Sequence, residues 1–347
     1  MKDLSYLTDY YDEKIEKIKA INAPLNFLFI TDMHHRLHEY FMPEHPELSP
    51  DYFELATDAI DSIQYILDRC PEISCVINGG DIGNDYDPSP EKILKGHCEV
   101  MDALYRLSVP IYSCIGNHDD AVGVAWECGR DNTKSAILPK KLHELCMKYN
   151  PTDKNYFYID FDQQGYRFVF LNTSDKPYLL NEDGQYEYPW RLEISDRQAE
   201  WFEKEALQTQ HRILVFSHAP LRYKGVYGSQ GVRLGVKPYD SVLNAPRILF
   251  DIEHSGKVAA LIAGHVHYDN IVYDNSLVSI TTLSSYSDEW SPGCPKRPLK
   301  TIKETAFDVF SIKNDWIYMT RFGAGHDRMA HIELDGYLGI DLKKNCL

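Results

Sequence analysis

The 347-residue sequence has no long hydrophobic run. Its apolar stretches, such as Phe27 to Ile30 and Ile213 to Phe216, fall far short of the roughly 20 residues that a membrane-spanning helix needs. The opening stretch, MKDLSYLTDYYDEKIEKIKAINA, is rich in acids and lacks an apolar h-region, so it reads as neither a signal nor a transit peptide. Basic residues are scarce as well: 36 Lys and Arg stand against 52 Asp and Glu, a formal charge of −16. A groove for a long polyanion shows a basic surplus, so this balance argues against nucleic acid as a partner. Cys-x-x-Cys pairs are missing too. The eight cysteines, at 70, 75, 98, 114, 128, 146, 294 and 346, are scattered and read as reduced, mostly buried thiols. These absences together predict a cytoplasmic chain with no membrane or nucleic-acid partner.

What is present is a large core. Hydrophobic residues make up 44% and aromatics 12%, which excludes disorder as a description of the whole. No internal repeat or low-complexity linker divides the chain. Leu25 to Thr31 is a short apolar run that reads as a buried strand ending in Asp32. Phe53, Ala56, Ile60, Ile63 and Leu67 then form the stripe of an amphipathic helix. Ile73 to Asn78 is strand-like, about Glu91 to Leu107 helical, and Val109 to Ile115 a strand again. This alternation leaves polar residues at each strand's C-terminal end, the edge where open α/β sheets place ligands.

In the second half, Tyr156 to Asp162 and Tyr166 to Asn172 read as a hairpin, followed by a long Tyr- and Pro-rich loop through Trp190. Ser195 and Gln198 form a capping box that opens a helix through Leu207. Further strands are expected at Ile213 to Phe216 and Val258 to Ala263. Short, closely spaced antiparallel strands are expected at Val272 to Tyr273, Val278 to Leu283, Phe307 to Ile312 and Trp316 to Arg321.

Five segments concentrate Asp, Asn and His at strand ends: Asp32-Met33-His34, Gly80-Asp81, Gly116-Asn117-His118-Asp119, Ser217-His218 and Gly264-His265-Val266-His267. Imidazole and carboxylate donors together suit Mn, Fe or Zn. An Asp-x-His or His-x-His spacing on a strand puts both side chains on one face, so each pair can face one metal site from one strand end. Each segment alone has an ordinary structural explanation, as a turn, a cap or a packed His. Five in this order, each after a strand, do not.

These segments resemble the calcineurin-like metallophosphoesterase superfamily, over roughly Asn26 to Arg321. The resemblance implies an α+β fold, a four-layer α/β/β/α sandwich of two mixed sheets. It implies Asp32, His34, Asp81 and His267 as ligands of one metal, and Asp81, Asn117, His218 and His265 as ligands of a second, with Asp81 bridging. His118 matches the family's catalytic histidine, which assists the leaving group while a metal-bridging hydroxide attacks phosphorus in line. Two departures narrow the branch. Asn84 stands where purple acid phosphatases carry Tyr, and Cys114-Ile115 precede Gly116 where protein phosphatases carry Arg. The set is most similar to class III cyclic-nucleotide phosphodiesterases and their bacterial relatives. In many of those an Asp at the place of Asn84 orients the catalytic His, so Asn84 is a second catalytic candidate.

The expected organisation is an N-terminal helical extension (1–24), one catalytic domain (25–325) with specificity loops at 172–190 and 222–240, and a C-terminal tail (326–347) packed on it. The expected activity is hydrolysis of a small, nucleotide-like phosphodiester. A phosphomonoesterase with the same site and a non-catalytic partner-binding scaffold are the alternatives. Tyr178, Tyr186, Tyr188 and Trp190 are candidates for a lid, and Arg222 and Tyr223 for substrate contact. His35, His38 and the dense Arg321 to Arg328 segment read more simply as loop and turn residues, and the acids from Asp9 to Glu16 as a solvated helix face.

Overall fold

A computed structural model describes residues 4–35, 55–83, 85–222, 242–274, 277–285 and 295–332. The first half runs α1 (Thr8–Ile21), β1 (Leu25–Ile30), α2 (Leu55–Leu67), β2 (Ile73–Asn78), α3 (Pro90–Leu104) and β3 (Ile111–Ser113). Three short helices follow, α4 (Val122–Glu127), α5 (Asn132–Ser135) and α6 (Pro139–Cys146), then the hairpin β4 (Phe157–Phe161) and β5 (Tyr166–Leu171). Next come α7 (Asp196–Trp201), prolonged by a π-helical turn at Phe202–Ala206, then β6 (Arg212–Ser217), α8 (Ala245–Ser255) and β7 (Val258–Ala263). The chain closes with β8 (Asn270–Asp274), β9 (Leu277–Thr281), β10 (Ala306–Lys313), β11 (Trp316–Gly323) and β12 (Arg328–His331).

The strands form two six-stranded mixed sheets, ordered β12-β11-β10-β1-β2-β3 and β4-β5-β6-β7-β9-β8. In the first, β1, β2 and β3 are parallel, while β10 pairs antiparallel with β1. In the second, β5, β6, β7 and β9 are parallel, and the hairpin partners β4 and β8 flank them. β1 and β5 are buried along their whole length, as expected for strands covered on both faces.

Phenylalanines fill the space between the sheets. The Phe27 ring stacks on Phe310 at 5.1 Å and meets Phe168 and Phe216 edge-on at 5.0 and 5.5 Å. Each buried ring contributes about 2–3 kcal/mol by area, with more from the aromatic geometry. The outer faces carry helices. Tyr11, Ile15 and Ile18 of α1 repeat at helical spacing and are buried, with the Tyr11 ring edge-on to Phe322 at 5.3 Å. On the opposite side, Ala199 of α7, Phe202, and Ile248 and Ile252 of α8 share one core cluster with Val169, Val215 and Leu261. This is the four-layer α/β/β/α sandwich of two mixed sheets. The Ser195 hydroxyl accepts from the Gln198 amide at 3.2 Å and caps α7, while the Gln198 side chain accepts from the Asn172 amide at 2.8 Å instead of closing a capping box. Among the described residues no helix is long and apolar enough to cross a membrane. Cys70, Cys75, Cys114 and Cys146 are buried free thiols, Cys98 is half-buried and Cys128 is exposed.

Candidate metal centre

The ends of β1, β2 and β3 of one sheet meet the ends of β6 and β7 of the other. Two groups of three donors form there: Asp32, His34 and His267, and Asp81, His218 and His265, the donor atoms of each group lying within 4.8 Å of one another. In the first, His267 Nε2 is 3.3 Å from His34 Nε2 and 3.1 Å from Asp32 Oδ1. In the second, His218 Nε2 is 3.1 Å from Asp81 Oδ2, 3.3 Å from His265 Nδ1 and 3.0 Å from Asn117 Oδ1. Asp81 Oδ2 also lies 3.8 Å from His34 Nε2, so this one carboxylate stands between the two groups. All seven ligand candidates named from the sequence therefore converge.

The route by which they converge differs from the expectation of strand alternation. β1 ends at Ile30, β2 at Asn78 and β7 at Ala263, so none of the Asp-x-His or His-x-His pairs lies on a strand. Asp32, His34, Asp81, His265 and His267 instead take positive φ values of 53, 42, 54, 67 and 53°. Such values are uncommon for residues with a side chain, and their clustering marks a backbone that is bent to aim donors. Gly116 and Gly264 let the neighbouring loops close in. A Cβ at Gly116 would come within 2.0 Å of Asp81 Oδ1, and one at Gly264 within 2.4 Å of Asp32 Oδ2.

Buried hydrogen bonds fix three of the donors. His218 Nδ1–H donates to the Gly79 carbonyl at 2.9 Å, which turns Nε2 towards the site. Asp32 Oδ2 accepts from the Thr31 hydroxyl at 2.7 Å and the His265 amide at 3.0 Å, and Asp81 Oδ1 accepts from the His118 amide at 2.9 Å. Burial pushes His34 and His265 down to about 3, so both are neutral imidazoles. Burial also opposes charge on His218, but Asp81 and Asp32 outweigh it and raise the group to about 9. Two oxygen- and nitrogen-only donor groups that share a carboxylate and contain no thiol fit a pair of borderline cations.

His118 sits beside these groups with its ring 5.1 Å from that of His34. Its Nδ1 is 3.0 Å from Asp85 Oδ1. Burial opposes its charge, yet the Asp85 and Asp81 carboxylates prevail and raise it to about 10. Asn84, the sequence candidate for orienting this ring, lies outside the described residues; the carboxylate found against His118 is its neighbour Asp85. Asp119 is a second residue whose part was not foreseen. Its buried carboxylate accepts the amides of Gly116 at 2.7 Å, Ile82 at 2.8 Å and Asp81 at 3.1 Å, tying the β2 and β3 loops together.

The segment 172–190 is held against this region. Lys176 and Asp120, both buried, pair at 2.8 Å, and the Tyr178 hydroxyl donates to Asp120 at 2.9 Å. Asn132 accepts the Tyr186 amide at 2.9 Å and donates to its carbonyl at 3.1 Å. Of the four lid candidates, Trp190 reaches the site, its ring 5.0 Å from that of His118. Arg222 pairs with Glu253 at 2.6 Å, and His35 with Glu99 at 3.2 Å. Arg321 is buried in a network with Asp308, Asp269, Thr282 and the Ala324 carbonyl, which joins the ends of both sheets. His38, Tyr223 and nearly all of the loop expected at 222–240 lie outside the described residues, as do positions 333–347.

Comparison with known proteins gives the site its setting. No curated protein sequence matches. Among solved structures, a dimetal phosphatase from Danio rerio superposes with a TM-score of 0.56 at 16% identity, covering 90% of this chain and 100% of that one. A 5'-nucleotidase from Staphylococcus aureus matches with a TM-score of 0.44 at 15% identity, over 92% of this chain and 56% of that chain. The first shares the fold. A profile described as calcineurin-like phosphoesterase matches residues 25–269, most of the chain and all seven converging donors. The chain belongs to the calcineurin-like phosphoesterase family and is a metal-dependent phosphoester hydrolase.

Proposed function

We propose that the chain hydrolyses a small, nucleotide-like phosphodiester, with Asp32, His34, Asp81 and His267 holding one metal and Asp81, Asn117, His218 and His265 the other. Mn, Fe and Zn all match the donors. The metals, when bound, supply positive charge to the phosphate oxygens and lower the pKa of water. The chain's own residues do the rest. Asp81 sets the spacing of the two groups, and the His218–Gly79 bond keeps Nε2 directed inwards. His118 holds a proton for the departing alcohol, and Asp85 keeps its Nδ1–H side turned away, so Nε2 is the atom that gives the proton up.

The observation that carries this reading is the pairing of His118 with Asp85 directly beside the shared carboxylate Asp81. A cationic acid in that place serves an alkoxide, the poor leaving group of sugar and nucleoside esters. His34, present in the first motif and close to His267, supports the phosphodiesterase-like branch. Buried free thiols support a reducing, cytoplasmic setting. α1, the body of the fold and the C-terminal segment form one catalytic unit in this reading.

The test is metal analysis combined with turnover of bis-p-nitrophenyl phosphate and p-nitrophenyl phosphate in Mn, Fe or Zn. A higher kcat/KM for the diester supports the proposal, and a higher value for the monoester assigns a phosphomonoesterase instead. Turnover of neither ester by metal-loaded protein would identify a scaffold. Asp81→Asn is expected to lose bound metal together with turnover.

A further inference from the structure

Gly123 on α4 has no side chain, and the Trp190 indole occupies the space where one would stand. A Cβ at Gly123 would lie 2.5 Å from Cε3 and Cζ3 of that ring. The strap that delivers Trp190 is tied down on the same side. Lys176 both pairs with Asp120 and donates to the Pro189 carbonyl, next in sequence to Trp190. Asp120 in turn follows Asp119 and His118 in the loop after β3. Indole and catalytic imidazole are therefore fastened to one piece of backbone, with ring centroids 5.0 Å apart and planes inclined at 62°.

Such anchoring holds the indole in one place. Trp190 remains partly open to solvent, and the His118 side chain is 19% exposed. Since Asp85 takes Nδ1, the other ring nitrogen must approach the leaving oxygen to about 3 Å. With ring centroids 5.0 Å apart, an alcohol held at that nitrogen is within reach of the indole. A large, fixed, half-open aromatic surface at this point is suited to stack on a planar group, at little cost in ordering.

We infer that Trp190 is a specificity-determining residue that contacts the leaving alcohol and selects phosphoesters whose alcohol carries an aromatic ring, such as a nucleoside base. This inference rests on the proposed role of His118 at the leaving oxygen and adds to it the side of the phosphate on which the ring lies. The ring belongs to the departing half of the substrate, not to the half that keeps the phosphate.

The experiment uses methyl 2-phenylethyl phosphate, whose two alcohols are nearly equal in basicity and differ chiefly by the ring. The ratio of 2-phenylethanol to methanol released by the Mn-loaded protein is an internal comparison, unaffected by how much enzyme is folded or metal-loaded. The wild type is expected to favour 2-phenylethanol by about tenfold, the scale of one stacked ring. Trp190→Ala should bring the ratio close to one, Trp190→Phe should keep much of it, and Gly123→Ala should lower it by displacing the indole. A wild-type ratio near one, an excess of methanol, or a ratio unchanged in Trp190→Ala would overturn the inference. If the protein cleaves only monoesters, phenylethyl and ethyl phosphate compared by their kcat/KM values give the same reading in the same variants. Failure of the wild type to cleave any of these esters would instead refute the catalytic reading, and this inference with it.

Discussion

Asp85 and His118 show how much one loop position decides. An imidazole that gives up a proton in the transition state needs its ring held in one tautomer, and a carboxylate on Nδ1 does that. Asp85→Asn keeps a hydrogen-bonding group of the same size but removes the charge. Turnover of alkyl esters should fall about 10- to 100-fold, less than the about 100- to 10,000-fold expected for His118→Ala. Metal content should be unchanged in both, since neither residue is among the converging donors. Loss of metal in either variant, measured by elemental analysis, would contradict this division of roles. The five segments were legible in the sequence from their Asp, Asn and His, and the family resemblance picked the seven donors out of them. The carboxylate against His118 was not legible, because nothing in the residue pattern after Gly80-Asp81 marks Asp85. Trp190 was legible as an aromatic in a loop, but its place against His118 depends on a contact between residues far apart in sequence.

At the scale of elements, strands that are apolar on both faces announced themselves, and so did the Ser195 cap of α7. The short helices α4 to α6 did not, for they have too few turns to show a period. Strand alternation was the wrong reason for a correct convergence, since left-handed residues after the strands aim the donors. The Arg321 to Arg328 segment illustrates another limit. Its density of charge is consumed inside the protein, where β10, β11 and β12 meet the segments around Asp269 and Thr282. Burial would raise the Asp308 carboxyl, but Arg321 and Arg328 more than reverse this and hold it below its ordinary value. A depressed native pKa means stability that is fully present above about pH 4, the ordinary carboxylate range, and lost as pH falls through the native value. Asp308→Asn, which leaves two guanidinium groups underpaired, should cost about 3–5 kcal/mol near neutral pH. Urea unfolding should show a smaller gap between variant and wild type below pH 4. A gap that stays constant to low pH would show that Asp308 acts through packing alone.

For the whole molecule, the decisive fact is that neither sheet owns the site. Asp32, His34, Asp81 and Asn117 follow strands of the first sheet, while His218, His265 and His267 follow strands of the second. Asp32 and Asp81 are buried carboxylates that the first sheet brings to that end of the sandwich, against imidazoles from the second. A bound metal favours the native state only, because the unfolded chain scatters the donors. The gain is RT ln(1 + [metal]/Kd), about 2.7 kcal/mol when the free metal is 100 times Kd. For a chain of this length that corresponds to a Tm rise of about 4 °C for each site so loaded. If both sheets hold the same ions, as proposed, calorimetry should show one transition moving upwards as Mn is added, and returning when a chelator removes it. Asp81→Asn should abolish most of the shift, and Asp85→Asn should retain it. Two transitions, with only one of them responding to metal, would show that the sheets are not coupled through the site.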